Sequence, residues 1–175
     1  MNPQCNIEIK ARCGELDGAR AAAEKLGAHP GGFLDQTDTY YRAAHGRLKL
    51  REINSERAEL IWYVRPDDAD ARSSDYHVAP IALENVPGVK AALAAAVGVR
   101  GIVRKRRELW RWHNVRIHLD TVESLGTFIE FEAVIGPDAG EDESTAHARL
   151  AELCRAMNVR DDDRLAQSYS DLLEL

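Results

Sequence analysis

Apolar and polar residues alternate with a period of two along much of this chain, which is typical of β-strands with one packed face and one polar face. The alternation predicts strands at 6–12, 33–43, 47–52, 59–65, 75–83 and 101–112, followed by a hairpin over 116–132. In most of these segments the polar side is also the charged side. Residues 33–43 are polar on both sides, so the pattern does not fix which side of that strand faces inward.

Three other segments space their apolar residues as helices do: 15–26, 87–97 and 144–157. Gly27 and Gly98 stand where the first two would end, and Pro87 stands near the start of the second. The polar segments 67–74 and 136–143 predict loops, and 161–175 predicts a short helical tail. We expect the helices to cover the apolar side of the sheet.

The hairpin carries its charges on one face of each strand. Arg116, His118 and Asp120 alternate with apolar residues, and Glu130 and Glu132 do the same on the second strand. Because side chains two residues apart share a face, the two glutamates could hold one hard cation between them. The solvated outer face of an antiparallel sheet would produce the same pattern, so the hairpin by itself does not decide between these interpretations.

The remaining strands repeat this separation of charge and favour an enclosed polar interior. Cations stand at Lys10, Lys49, Arg51, Lys105, Arg107 and Arg116, and carboxylates stand at Glu8, Asp120, Glu130 and Glu132. If helices cover the apolar faces, the charged faces meet inside a closed or half-closed antiparallel barrel. Buried charges are costly unless they pair or bind a ligand. The predicted fold is therefore an α+β barrel whose charged lumen suits a polyanion and a divalent metal.

Composition narrows the functional classes. The chain has 175 residues, which favours one domain over 1–175, and its formal net charge of −6 argues against nucleic acid as a partner. Its three cysteines form no CxxC pair, as expected for reduced thiols in the cytoplasm. The first residues do not read as a secretory signal, and the apolar run 91–99 is too short to cross a membrane. These features predict a soluble cytoplasmic protein without a membrane partner.

Taken in order, the strand sequences resemble the CYTH family, or triphosphate tunnel metalloenzymes. The resemblance covers nearly the whole chain and rests on NIEIK, RLKLRE, the strand ending in Arg65-Pro66, VRKRR, RIHLD and LGTFIEFE, with SYSDLL similar to the family's C-terminal end. Two positions depart from the family pattern. Asn6 replaces the first glutamate of the family's Glu-x-Glu-x-Lys motif, and Arg65 stands where many members have lysine, which keeps the charge but changes its geometry.

The resemblance implies roles for the charged residues. Those expected to bind a triphosphate are Lys10, Lys49, Arg51, Arg65, Lys105, Arg107 and Arg116, and those expected to hold Mg²⁺ or Mn²⁺ are Glu8, Glu130 and Glu132, with Asp120 as a further ligand or as the orienter of a nucleophile. Lys10, His118 and Asp120 are the candidate catalytic residues. His118 is equally suited to donating a supporting hydrogen bond.

The family contains class IV adenylyl cyclases, thiamine triphosphatases and inorganic triphosphatases, and the sequence does not separate these reactions. The interpretation we favour is conversion of ATP to cyclic AMP and pyrophosphate. Hydrolysis of a triphosphate is the first alternative, and a non-catalytic module that binds a phosphorylated ligand is the second. Trp62, Tyr63, Trp110 and Trp112 could stack a base, although aromatics at strand spacing more often pack in a core. The resemblance leaves a homodimer open.

Overall fold

The structure, a computed structural model, describes residues 4–64, 72–135 and 142–175. Within them, eight antiparallel strands form a closed barrel in the order β1-β5-β4-β3-β2-β6-β7-β8. The strands are β1 Gln4–Arg12, β2 His29–Tyr41, β3 Arg47–Ile53, β4 Arg57–Val64, β5 Arg72–Ile81, β6 Val99–Trp112, β7 Val115–Val122 and β8 Gly126–Ile135. The helices are α1 Leu16–Lys25, α2 Val86–Val97, α3 Glu143–Ala156 and α4 Tyr169–Leu172.

Two meanders build the barrel, one from β2 to β5 and one from β6 to β8. Strands β2 and β6 join the meanders along one long ladder, and β1 closes the barrel between β5 and β8. The predicted antiparallel barrel, expected to be closed or half-closed, is therefore confirmed, and it is closed. Alternation along each strand sends one set of side chains into the lumen and the other set outward.

The apolar core lies outside the barrel, beneath the helices. Helices α1 and α3 cover the outward side chains of β1, β6, β7 and β8, where Ile117 and Phe131 are fully buried. Helix α2 covers part of the β2–β5 meander and contributes Val86 to a smaller cluster with Leu50. The expectation that the helices pack outside the sheet is confirmed.

The C-terminal segment closes one end of the barrel. The backbone N–H of Leu165 donates to the carbonyl of Lys10 at 2.9 Å, and Tyr169 packs against Phe128 with ring centroids 5.0 Å apart. Helix α4 begins at a capping box in which Ser168 and Asp171 each accept a hydrogen bond from the other's backbone. We call this segment, residues 165–175, the C-terminal plug.

The predicted starts of two strands were wrong. Strand β5 begins at Arg72, inside the predicted loop 67–74, because its first residues pair with β1, with Glu8 opposite Arg72. Strand β2 begins at His29, ahead of the expected position 33, because β6 is long enough to pair with it. Gly31 permits this pairing, since a Cβ there would lie 2.8 Å from the Leu109 side chain.

The predicted helical tail at 161–175 is helical only at 161–163, as a 3₁₀ turn, and at α4. Most of the predicted loop at 136–143 lies outside the described residues. Among the described ranges, no helix is both long and apolar enough to cross a membrane.

Candidate active site

The inward side chains line a tunnel of about 570 Å³ through the barrel. Most of its lining is polar or charged, including members of β1, β2, β3, β6, β7 and β8, and the C-terminal plug closes one end. Arg57 and Arg111 are exposed at the other mouth. A larger groove of about 1190 Å³ runs along the outer face of β2 and β6, where charged side chains such as Arg104 and Arg106 are exposed to solvent. We therefore place the chemistry in the tunnel.

Asp120 is the centre of one buried cluster in the tunnel wall. Arg107 donates from Nε and Nη2 to the two carboxylate oxygens, both at 2.7 Å, while Lys105 Nζ and Tyr169 Oη reach Oδ2 at 3.2 and 2.9 Å. Asp120 is completely buried. With four donors on its two oxygens, Asp120 is arranged to orient these cations, a role that the sequence did not predict for it. We call these four residues the Asp120 cluster.

Asp38 is the centre of a second cluster with the same design. Arg51 donates from Nε and Nη2 to its two oxygens at 2.7 Å, and Lys49 Nζ donates at 2.9 Å. In both clusters the lysine and arginine are two residues apart on one strand, and the aspartate lies directly opposite the arginine on the next. The sequence pattern does not distinguish Asp38 from its neighbours, because β2 is polar on both sides. We call Asp38, Lys49 and Arg51 the Asp38 cluster.

A row of glutamates runs along β8 beside these clusters. Glu130 lies 3.2 Å from Lys10 Nζ, 3.1 Å from Arg107 Nη2 and 3.1 Å from His118 Nδ1. Glu132, two residues further on, contacts Arg116 Nη2 at 2.9 Å. Strand pairing thus brings the cations of three strands to the carboxylates that the sequence placed on one hairpin.

Asn6 and Glu8 complete the acidic side of the tunnel. Glu8 pairs directly opposite Glu132 in the β1–β8 ladder, and the Asn6 amide donates to Glu132. Asn6 is only 2% exposed, and its Oδ1 has no hydrogen-bond partner among the described residues. A buried amide oxygen without a donor, beside carboxylates, is a suitable ligand for a hard cation.

The described side chains do not bring three His, Cys, Asp or Glu groups close enough to enclose a metal ion by themselves. Magnesium needs only one or two protein carboxylates when water and substrate phosphates fill its other positions. Glu8 and Glu132, with the Asn6 oxygen beside them, therefore fit a metal shared with a phosphorylated substrate.

Burial and the neighbouring charges shift the ionisation of these groups in opposite directions. Burial would raise the pKa of Asp38, Asp120 and Glu130, but the adjacent arginines and lysines outweigh it and hold each carboxyl pKa below its ordinary value. Burial and the neighbouring arginine lower the pKa of Lys49 to about 7 and that of Lys105 to about 8. The carboxylates are thus charged at neutral pH, while the lysines are poised to release a proton.

His118 lies opposite Glu130 in the β7–β8 ladder and is 4% exposed. Burial and the charge of Arg107 lower its pKa, against the opposing effect of Glu130. A neutral imidazole at this position can accept a proton as well as donate one.

The aromatic residues divide between the two sides of the sheet. Trp110 and Trp112 belong to the outer core beneath the helices, as the packing interpretation predicted, and Trp62 lies outside against His77. Tyr63 lines the tunnel, with its ring 5.4 Å from Lys49 Nζ.

One wall of the tunnel is apolar. Its members are Leu34, Ile53, Ile61, Val78 and Leu109. Ile53 lies opposite Arg57 in the ladder and Leu109 lies two residues from Arg111, so this wall extends to the open mouth. An organic group attached to a polyphosphate could lie there.

The structure thus gathers nearly all the predicted site residues around one tunnel. Lys10, Lys49, Arg51, Lys105, Arg107, Arg116, Glu8, Glu130 and Glu132 line it, while His118 and Asp120 are buried in its wall. Arg65 lies outside the described residues. Sequence reasoning missed Asp38, which no local pattern marks, and Tyr169, for which the similarity of SYSDLL to the family's C-terminal end was a signal.

Comparison with known proteins agrees with this architecture. The CYTH domain family matches residues 4–169. A Methanocaldococcus jannaschii protein named as a candidate adenylate cyclase is 31% identical over 70 residues, which span 40% of this chain and 39% of that relative's length.

Two solved structures illustrate the shared fold. A Pyrococcus horikoshii protein superposes with a TM-score of 0.80 at 22% identity, covering 95% of this chain and 98% of its own. A Hippeastrum protein, described as a candidate adenylyl cyclase with a dominant triphosphatase activity, superposes with a TM-score of 0.66 at 13% identity and covers 97% and 93%. Because the family match spans nearly the entire chain, this protein belongs to the CYTH family.

Proposed function

We propose that this protein is a divalent-metal-dependent enzyme that acts on a triphosphate bound in the tunnel, with conversion of ATP to cyclic AMP and pyrophosphate as the leading reaction. The observation that supports this most directly is the pair of aspartate-anchored lysine–arginine clusters facing a row of glutamates in one tunnel. A polyphosphate has negative oxygens along its length, so it can engage both clusters together.

The acidic side would hold the metal. Glu8 and Glu132 are the proposed ligands for Mg²⁺ or Mn²⁺, with the Asn6 oxygen beside them. Glu130, the third predicted ligand, is paired with Lys10, Arg107 and His118. When bound, the metal would neutralise negative charge that develops on the phosphate oxygens. The cations would do the same from the opposite side while fixing the chain of phosphates for in-line displacement.

The apolar wall favours an organic triphosphate over inorganic tripolyphosphate. With the organic group near Leu34 and Leu109 at the open mouth, the terminal phosphate enters deepest and the α-phosphate stays nearest Glu132 and Arg116. In the cyclase reaction the ribose 3′-oxygen forms a bond to the α-phosphorus, the bond from that phosphorus to the α–β bridging oxygen breaks, and pyrophosphate leaves. The hydroxyl proton needs an acceptor beside the α-phosphate. We assign its transfer to neutral His118 by way of Glu132, whose carboxylate lies 3.8 Å from His118 Nε2, and Lys10 neutralises phosphate charge.

Hydrolysis of the terminal phosphate is the second candidate, and the depth of the site favours it. His118 and Glu130 lie deeper than Glu132, towards the C-terminal plug, where the terminal phosphate would sit in this orientation. There His118 could accept a proton from water instead of from ribose. The Hippeastrum protein's described triphosphatase activity belongs to a protein that shares the fold.

The test is to incubate the purified protein with ATP, thiamine triphosphate and tripolyphosphate in turn, each with Mg²⁺ or Mn²⁺, and to resolve the products. Cyclic AMP with equimolar pyrophosphate supports the cyclase. Orthophosphate release supports the triphosphatase and identifies its substrate. Binding without any product supports a non-catalytic module, which would overturn the proposal of an enzyme.

Two neighbouring residues on β6 provide a matched control. Lys105→Ala removes a cation from the tunnel wall, whereas Arg104→Ala removes one from the exposed outer face of the same strand. We expect at least a tenfold loss of triphosphate affinity from the first and less than a twofold change from the second. If Lys105→Ala leaves both binding and turnover intact, the tunnel is not the site. The reduced thiols and this substrate class both fit a protein of the cytoplasm.

A further inference from the structure

We propose that Asp38 is a positioning residue for the tunnel, holding Lys49 and Arg51 towards the substrate, and that Lys49 takes up a proton when a triphosphate binds. This inference rests on the proposed function, since it describes how the same tunnel receives its polyanion. Asp38 was selected by no sequence motif, and its role follows from its contacts.

The geometry of Asp38 is that of an anchor. It is 2% exposed, and its two oxygens receive three hydrogen bonds of 2.7 to 2.9 Å from Arg51 and Lys49. Both cations line the tunnel. Each arginine or lysine that is held by a carboxylate behind it loses less conformational freedom when a phosphate arrives in front.

Both clusters carry more cations than carboxylates. Around Asp120, Lys10, Lys105 and Arg107 share two carboxylates, Asp120 and Glu130. In the Asp38 cluster the described ion pairs of Lys49 and Arg51 all go to Asp38. One positive charge is therefore left uncompensated in a buried place.

Lys49 is the residue of the Asp38 cluster that can lose the excess positive charge, because of the groups that surround it. They are Asp38 and Tyr40 from β2, Arg51 on its own strand, Glu59 and Tyr63 from β4, and Lys105 from β6, with Glu59 opposite Arg51 in the ladder. Arginine does not lose its proton at any ordinary pH, so the lysine must. Burial, followed by the Arg51 charge, lowers the pKa of Lys49 to about 7, and Asp38 opposes this shift.

A triphosphate placed against Lys49 favours its charged form and therefore draws in a proton. Before the triphosphate binds, the pKa of Lys49 is about 7, so about half of the molecules carry a neutral lysine at pH 7. These molecules take up a proton at Lys49 when the triphosphate binds. Removing Asp38 lowers the lysine pKa further, so the uptake at Lys49 should approach one proton per molecule. In Lys49→Arg the cation is permanently charged, and this contribution should disappear.

The experiment is calorimetric titration with tripolyphosphate at pH 7, without divalent metal so that no turnover occurs, in two buffers of different ionisation enthalpy. The difference in apparent heat gives the number of protons taken up. We expect Lys49→Arg to take up about half a proton less than the unaltered protein. Asp38→Asn should take up about half a proton more and bind at least tenfold more weakly at pH 8, while Asp38→Glu should restore part of the affinity.

The outcomes separate this inference from the proposed function. If the unaltered protein binds neither tripolyphosphate nor ATP, in the presence of Mg²⁺ as well as in its absence, the proposed function fails. If it binds and the uptake is the same in Lys49→Arg, the proton linkage is wrong, and this comparison does not depend on Asp38→Asn folding. If Asp38→Asn folds, as judged by circular dichroism, and keeps the affinity and proton uptake of the unaltered protein, Asp38 is not a positioning residue.

Discussion

Replacement of Asp120 by asparagine keeps the shape of the side chain but removes its negative charge. Because that charge compensates buried cations, the replacement should destabilise the protein strongly. Arg107 and Lys105 are only 6% and 8% exposed, and in the variant they would lose the carboxylate that they both contact. Breaking a buried ion pair by removing one partner costs about 3–5 kcal/mol. Glu130 still contacts Arg107 at 3.1 Å, so we expect the lower end of that range, about 3 kcal/mol.

That loss is large against the stability of a domain, which is about 5–15 kcal/mol. For a chain of this length, about 3 kcal/mol corresponds to a fall in melting temperature of roughly 6–12 °C. Urea denaturation followed by circular dichroism at pH 7 measures the free energy of unfolding directly. Saturating tripolyphosphate supplies negative charge to the tunnel and should restore part of the loss.

The control is Glu123→Gln, which removes one partner of an exposed ion pair. Glu123 lies 3.9 Å from Arg104, and both side chains are more than half exposed. Such surface pairs contribute about 0–1 kcal/mol. If Asp120→Asn costs less than about 1 kcal/mol and is no worse than Glu123→Gln, the reasoning that Asp120 compensates the tunnel cations is refuted.

Three further predictions concern the metal, the substrate and the pH. Asn6→Glu adds a carboxylate beside Glu132 and should tighten Mn²⁺ binding by roughly tenfold, the effect expected of one added unit charge about 4 Å from the ion. Electron paramagnetic resonance measures this affinity, and an unchanged value in both Asn6→Glu and Asn6→Leu would place the metal elsewhere. Leu34→Ala should raise the KM for ATP by up to about tenfold through lost apolar contact, with the KM for tripolyphosphate within twofold; equal effects would exclude an organic subsite there. In the folded protein the pKa is about 7 for Lys49 and about 8 for Lys105, below the ordinary lysine pKa of the unfolded chain. At any pH between the folded and unfolded pKa values the unfolded state binds more protons, so the free energy of unfolding should rise by about 2–4 kcal/mol from pH 7 to pH 9 in phosphate-free buffer. A urea midpoint that stays flat or falls over this range would contradict the prediction.

Much of the site could be predicted from the sequence because strand alternation assigns each residue to a face without reference to its neighbours. RLKLRE places Lys49 and Arg51 together whatever the register, and LGTFIEFE does the same for Glu130 and Glu132. The closed barrel followed from the separation of apolar and charged faces. The predicted helices could cover only the apolar face of the sheet, so the charged face had to curl around and line an interior.

Contacts that depend on register could not be predicted in this way. Asp38 meets Arg51 because β2 and β3 pair in one particular alignment, and the sequence of β2 is polar on both sides. Tyr169 reaches Asp120 across 49 residues of sequence. Local patterns carry no information about such distant pairs, and the early start of β5 was missed for the same reason.

The arginines of the two clusters are arranged so that folding leaves donors available for a ligand. Arg51 and Arg107 each donate from Nε and Nη2 to an aspartate, and Nη1 of each makes no hydrogen bond among the described residues. A long cationic side chain carries about 2 kcal/mol of rotamer entropy, and the aspartates restrict it before any substrate arrives. Donors fixed in advance stabilise a developing negative charge without reorganising. The aspartates thus serve two purposes: they make a buried row of cations tolerable in the free protein, and they leave its outer edge preorganised for phosphate.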